Sequence, residues 1–217
     1  RFFSLTYASM RNIAFKMTEL ILLNSEFATN RLVLLHGWGA DANDLLPVGK
    51  LLTEEFKDRF EIVSFSAPQS HPSGLGRQWY PLYPHQWEQV PNAVMDLENR
   101  LNNLCLRYIP LSRTLILGFS QGGAMALELA TRNKFEGIFA LSSYPHPEWK
   151  PLNDMPPIFL CHGNFDQVVP KAASQKSFDI LLKNGFKSEL FFFDGGHEIT
   201  NDLIEHCHGK IKQEFLN

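Results

Sequence analysis

From Glu19 onward, short apolar runs alternate with stretches of helical periodicity. The runs are ELILLN (19–24), RLVLLH (31–36), EIVSFS (61–66), TLILGF (114–119), EGIFALS (136–142), PIFLCH (157–162) and ELFFF (189–193). Each has strand length, and the runs lack the polar face that a half-solvated sheet would show. Between them, Asp44 to Phe56 places Leu45, Val48, Leu52 and Phe56 at near-helical spacing. A longer helix starts near Pro91, carries Val94, Leu97, Leu101, Leu104, Cys105 and Tyr108 on one face, and ends before Pro110. Further helices follow Ser120, run from Ala172 to Lys183 before Asn184-Gly185, and extend toward Phe215. The alternation predicts an α/β fold, a doubly wound, mainly parallel sheet with helices on both faces. No internal repeat or low-complexity segment interrupts it.

Composition narrows the reading. The 217 residues, 44% of them hydrophobic, suffice for one domain with a sizeable core. A formal charge of -3 leaves no basic surplus for phosphate backbones, which argues against nucleic acid as a partner. Charged or polar residues break every apolar run before 18 residues, so no transmembrane segment is expected. Cys105, Cys161 and Cys207 are odd in number and show no C-x-x-C spacing, which fits a reducing, cytoplasmic setting. All 23 acidic residues lie beyond Lys16, whereas Arg1, Arg11 and Lys16 are basic. Residues 1–16 therefore read as an N-terminal extension, an upstream segment rather than an organellar leader, ahead of one domain over 17–217.

Candidate chemistry gathers where the apolar runs end. TLILGF breaks into Gly118-Phe119-Ser120-Gln121-Gly122 and then a helix-forming AMALELATR. A strand, a sharp turn and a helix with serine at the apex lift a hydroxyl clear of the sheet, the arrangement a nucleophile needs. Serine is a weak nucleophile until a base takes its proton, and a carboxylate must hold that base in the right tautomer. The loop after ELFFF offers His197 as the base; the loop after PIFLCH offers Asp166 as the acid. The order Ser120, Asp166, His197 is that of α/β-hydrolases. Asp194, three positions before His197, is the rival acid. An acyl-transfer intermediate also needs two donors for its oxyanion. The backbone N–H of Gln121, directly after the serine, is one. The loop His36-Gly37-Trp38-Gly39 supplies the other, assigned to Trp38.

Each assignment has a structural competitor. Ser120 could cap its helix. His36 and His162, each before a glycine at a strand end, suit structural hydrogen bonds, and Cys161 suits a small buried position. Adjacent helical positions point apart, so His206-Cys207-His208 is not expected to bind metal. Trp79 and Tyr80 either pack internally or wall an acyl pocket, with Leu75, Tyr144 and Phe165 as weaker pocket candidates. The stretch from Ser143 to Pro157 is too short for a lid domain, which predicts an open site.

The motifs LLHGWGADANDLLP, the WY of RQWYP, GFSQGGAMAL, HGNFDQVVP and GGHEI, in this order from about Arg31 to the C-terminus, resemble the phospholipase/carboxylesterase group of α/β-hydrolases, which includes the acyl-protein thioesterases. The resemblance implies a catalytic triad of Ser120, Asp166 and His197 and oxyanion N–H groups at Trp38 and Gln121. It implies a serine hydrolase cleaving carboxylic esters or acyl thioesters through an acyl-enzyme, with no metal and no cofactor. Small esters, an acylated protein or a lysophospholipid are the implied substrates. Trp38 stands where the family usually has leucine, and WYP where an aromatic pair is commonly followed by aspartate. The competing reading is a binding or receptor protein that keeps the scaffold without turnover.

Overall fold

The computed structural model describes residues 20–23, 27–105, 109–152 and 154–216. Its strands are β1 (Leu20–Leu23), β2 (Asn30–Leu35), β3 (Phe60–Phe65), β4 (Gln69–Ser70), β5 (Arg77–Gln78), β6 (Thr114–Phe119), β7 (Gly137–Leu141), β8 (Ile158–Gly163) and β9 (Ser188–Phe193). The helices are α1 (Leu46–Thr53), α2 (Val90–Cys105), α3 (Gln121–Ala130), α4 (Ala172–Lys183) and α5 (Asn201–Phe215). Seven strands form one sheet in the order β1-β3-β2-β6-β7-β8-β9, and β4 with β5 makes a separate hairpin.

Side-chain alternation along the strands explains why helices cover both faces. In β2, Val33 and Leu35 join Val94, Leu97 and Leu101 of α2, Met125 and Leu129 of α3, and Leu181 of α4. Leu32 and Leu34 turn the other way, toward Leu52 of α1 and Leu203, Cys207 and Ile211 of α5. A period of two in each strand thus builds two cores from one sheet. Each fully buried leucine or valine contributes roughly 1.5–3 kcal/mol. Arg31 is the charged exception in β2; it is fully buried, pairs with Glu61 on the neighbouring strand and donates through Nη1 to the Ile109 carbonyl at 3.0 Å.

All pairings in the main sheet are parallel except β1 with β3, where Leu20 lies opposite Phe65. Connection length explains that reversal. Only Asn24 to Thr29 separates β1 from β2, whereas a parallel crossover takes a dozen residues or more. The helix expected from Asp44 starts two residues later, because the Asp41 carboxylate accepts the Asn43 N–H at 2.7 Å and holds a turn there. Pro47 then occupies its first turn, and after Thr53 the chain tightens into a 3-10 turn over Glu54–Phe56. The expected end of α2, Tyr108, the Cys105 side chain and residues 1–16 lie outside the described residues. The segment joining β7 to β8 contains no regular helix among its described residues, and no described helix is long and apolar enough to cross a membrane.

Candidate active site

The turn from β6 into α3 is as tight as backbone can make it. A Cβ on Gly118 would lie 2.2 Å from the Gly122 carbonyl oxygen, and one on Gly122 would lie 2.0 Å from that of Leu35. Only hydrogen fits at either position. Between them Ser120 takes φ 54° and ψ −116°, a strained conformation for a residue with a side chain, costing on the order of 1–3 kcal/mol. Two backbone bonds hold it there: Ser120 N–H to the Leu141 carbonyl at 2.8 Å, and Ala124 N–H to the Ser120 carbonyl at 3.1 Å. Ser120 occupies the N-cap position of α3, yet its hydroxyl caps nothing.

That hydroxyl lies 3.0 Å from Nε2 of His197 instead. The other ring nitrogen, Nδ1, is 2.7 Å from Oδ2 of Asp166. A carboxylate only accepts, so Nδ1 carries the proton and Nε2 is bare toward the serine. The second carboxylate oxygen of Asp166 accepts the N–H groups of Val168 at 2.9 Å and Val169 at 2.8 Å. Burial of this side chain pushes its pKa up, but the His197 bond and the Val169 and Val168 N–H groups outweigh it and hold the carboxyl below its ordinary value. Asp194 is exposed and accepts from Asn164 Nδ2 at 3.0 Å, so it is Asp166 that the fold brings to the imidazole.

The loop after β2 passes beside the serine: a Cβ on Gly37 would come within 3.5 Å of Ser120 Cβ. Trp38 follows, half-buried, with its indole N–H donated to Gln78 Oε1 at 2.9 Å and its ring 4.0 Å from that of His71. Gln121 is the first residue of α3, so its N–H has no acceptor one turn back. Leu75, in the tight loop between β4 and β5, is 78% exposed, and Phe165, next to Asp166, is 68% exposed. Tyr144 is half-buried, and burial pushes its phenol up to about 12.

Trp79 and Tyr80 require a correction. Both are fully buried, so neither presents a ring to a substrate chain, and the acyl-wall reading of the pair gives way to an internal role. His36 and His162 are held as buried, hydrogen-bonded groups. His36 Nδ1 is 2.7 Å from the Gly37 carbonyl while Nε2 accepts the Ala67 N–H at 3.0 Å. His162 Nε2 lies 2.8 Å from the Val169 carbonyl and 3.2 Å from Asp166 Oδ2, with Nδ1 2.7 Å from the Ser174 hydroxyl. Burial pushes both imidazoles below their usual pKa. The side chains of 206–208 diverge: His206 stacks on Phe191, Cys207 enters the core and His208 Nδ1 reaches the Leu52 carbonyl at 3.0 Å.

Two further side chains border the site. The ring of Phe119 lies 4.8 Å from that of His197. Its only sequence signal is the variable position just before the serine. His162 contacts the candidate acid as well as its loop, and the signal was its place four residues before Asp166.

Sheet order, elbow and strand-end loops together define an α/β-hydrolase. The profile described as Phospholipase/Carboxylesterase matches residues 18–214, and the chain belongs to that family, and with it to the serine hydrolases. Acyl-protein thioesterase 1 of Cryptococcus neoformans is 29% identical over 191 residues, covering 75% of this chain and 77% of that protein. Acyl-protein thioesterase 1 of Neurospora crassa is 39% identical over 111 residues, a match spanning 45% of this chain and 44% of its own length. The crystal structure of esterase PE8 superposes with a TM-score of 0.84 at 26% identity, covering 92% of this chain and all of that one. The Bacillus cereus carboxylesterase, at 17% identity and a TM-score of 0.78 over 93% of this chain and 96% of its own, shares the fold.

Proposed function

We propose that the protein hydrolyses carboxylic esters and acyl thioesters through an acyl-enzyme on Ser120. The observation that carries this reading is the unbroken line from Ser120 Oγ through the His197 ring to Asp166, at 3.0 and 2.7 Å. Ser120 Oγ attacks the substrate carbonyl carbon while its proton passes to His197 Nε2. Asp166 keeps the ring in the accepting tautomer and balances the imidazolium. The carbonyl oxygen becomes an oxyanion facing the N–H groups of Trp38 and Gln121. Its collapse breaks the bond to the leaving alcohol or thiol, which takes the proton from Nε2. Water then repeats the sequence on the acyl-serine and frees the acid and the hydroxyl.

Leu75, Tyr144 and Phe165 remain the side chains for acyl-chain contact. The names of the thioesterase relatives support a thioester among the substrates, and the mouse relative called lysophospholipase-like protein 1, 26% identical over 207 residues with 85% of each chain covered, supports a lipid ester. Buried free thiols at Cys161 and Cys207 suit a reducing cytoplasm.

The test is a fluorophosphonate label mapped by peptide mass, run beside turnover of p-nitrophenyl esters of increasing chain length and one octanoyl thioester. Label on Ser120 and loss of all turnover in Ser120→Ala are expected. Label on another residue, or turnover persisting in a folded Ser120→Ala sample, would remove this mechanism.

A further inference from the structure

The two oxyanion arms leave neighbouring strands, and the ladder between those strands ends at Leu35 opposite Gly118. Beyond that rung, strand pairing no longer sets the distance between the loop carrying Trp38 and the turn carrying Gln121. A buried dipeptide from elsewhere in the chain spans them. The indole N–H of Trp79 donates to the His36 carbonyl at 2.9 Å, where the Gly37-Trp38 loop departs from β2. The backbone N–H of the same residue donates to Gln121 Oε1 at 3.0 Å, and Gln121 Nε2 donates to the Tyr80 carbonyl at 2.7 Å. His36, Trp79, Tyr80 and Gln121 are all 0% exposed. Core filling alone would require a large apolar side chain here. It would not require an N–H aimed at each arm.

The dipeptide is itself fastened to α3, the helix that begins with Gln121. Glu128, two turns along, has Oε1 2.9 Å from His146 Nδ1, and His146 Nε2 is 2.7 Å from the Tyr80 hydroxyl. Tyr144 brings its own hydroxyl within 2.9 Å of that of Tyr80. The carboxylate only accepts, so His146 Nδ1 donates to Glu128; with a neutral ring, Tyr80 then donates to His146 Nε2 and Tyr144 donates to Tyr80. Burial pushes the Tyr80 phenol far above its usual pKa, so it stays a neutral donor.

We propose that Trp79 is a positioning residue that sets the spacing of the two oxyanion donors, held in register by the line Tyr80-His146-Glu128. The inference rests on the esterase reading of Ser120. Removing an oxyanion donor outright costs 10²–10³ in kcat, so displacing one by loss of its brace should cost about tenfold. Trp79→Phe keeps an aromatic ring and deletes the indole N–H together with part of the buried ring volume, a packing loss that the paired-substrate ratio below cancels.

The experiment compares a p-nitrophenyl butyrate ester with its thiono analogue, in which sulfur replaces the carbonyl oxygen. Sulfur is a weak acceptor, so the two N–H donors contribute little to its tetrahedral intermediate. For Trp79→Phe, kcat on the oxygen ester should fall about tenfold with KM unchanged, while kcat on the thionoester falls no more than about twofold. The preference for oxygen over sulfur then shrinks about fivefold. Gln121→Met, which removes the brace from its other end, should show the same narrowing and stands in if Trp79→Phe does not fold. Equal losses on both substrates, or no loss on either, overturn the inference, because a merely structural role lowers the fraction of competent enzyme without touching the ratio. Turnover surviving in Ser120→Ala would instead strike the esterase reading itself.

Discussion

Replacing Asp166 by asparagine tests how the site sets the proton on the proposed base, His197. One carboxylate oxygen of Asp166 accepts two backbone N–H groups, at 2.9 and 2.8 Å, while the other faces His197 Nδ1 at 2.7 Å. In Asp166→Asn the amide has one acceptor, and the pair of backbone donors claims it. The NH2 group is therefore left facing Nδ1, which must meet it without a proton. The ring then carries hydrogen on Nε2, the nitrogen 3.0 Å from Ser120 Oγ, and cannot accept from the serine. Loss of a triad acid by this tautomer exchange lowers kcat about 10⁴-fold, equal to about 5.5 kcal/mol in the barrier. Asp194→Asn touches an exposed carboxylate bonded to Asn164, and a surface change of about 0.5 kcal/mol predicts roughly a twofold effect at most. Steady-state hydrolysis of p-nitrophenyl butyrate, with active sites counted by fluorophosphonate, gives both numbers. An Asp166→Asn enzyme within tenfold of the parent, or an Asp194→Asn enzyme that is the more damaged, would refute the reasoning.

Two further outcomes follow from burial and close contact. Burial lowers the folded pKa of His36, His162 and His206 below 6.5, so beneath about pH 6.5 the unfolded chain binds protons that the folded chain refuses, and stability falls with pH. The urea midpoint should therefore drop between pH 7.5 and 6.0, with Asp44 and Glu136, whose carboxyls burial pushes up, offsetting part of the loss at lower pH; a flat or rising midpoint contradicts this. Gly122→Ala would place a methyl group 2.0 Å from the Leu35 carbonyl oxygen, so the variant should lose soluble yield or label Ser120 far more slowly, and parent-rate labelling would show that the elbow has slack.

Strand positions were legible because a parallel sheet buries both faces, leaving each strand an apolar run such as TLILGF that stands out from its neighbours. The polar residues at the ends of β6, β8 and β9 could then be matched by chemistry alone, and the geometry brings Ser120, Asp166 and His197 together. Strand direction is different, since the apolar run of β1 carries no sign of polarity. The short link after it did, as it cannot make a crossover. For Trp79 and Tyr80 the sequence left internal packing and an acyl wall both open, for another reason. They lie in a Pro-rich and Gly-rich stretch without periodicity, and the contacts that seat them in the core include bonds to His36 and to Gln121, residues about forty positions away in either direction. No local periodicity encodes such a contact. The start of α1 was misplaced because Leu45 is buried at helical spacing while still belonging to the preceding turn.

The backbone angle at Ser120 has a bearing on how this chain responds to selection. A φ of 54° is a conformation glycine adopts freely and serine does not, so the residue proposed for the chemistry weakens the fold that presents it. Screens that reward heat resistance or expression alone would tend to replace Ser120 by glycine, and would collect hardy proteins without the proposed turnover. Stabilising the chain while keeping its activity means working elsewhere, and counting survivors by catalysis rather than by melting point.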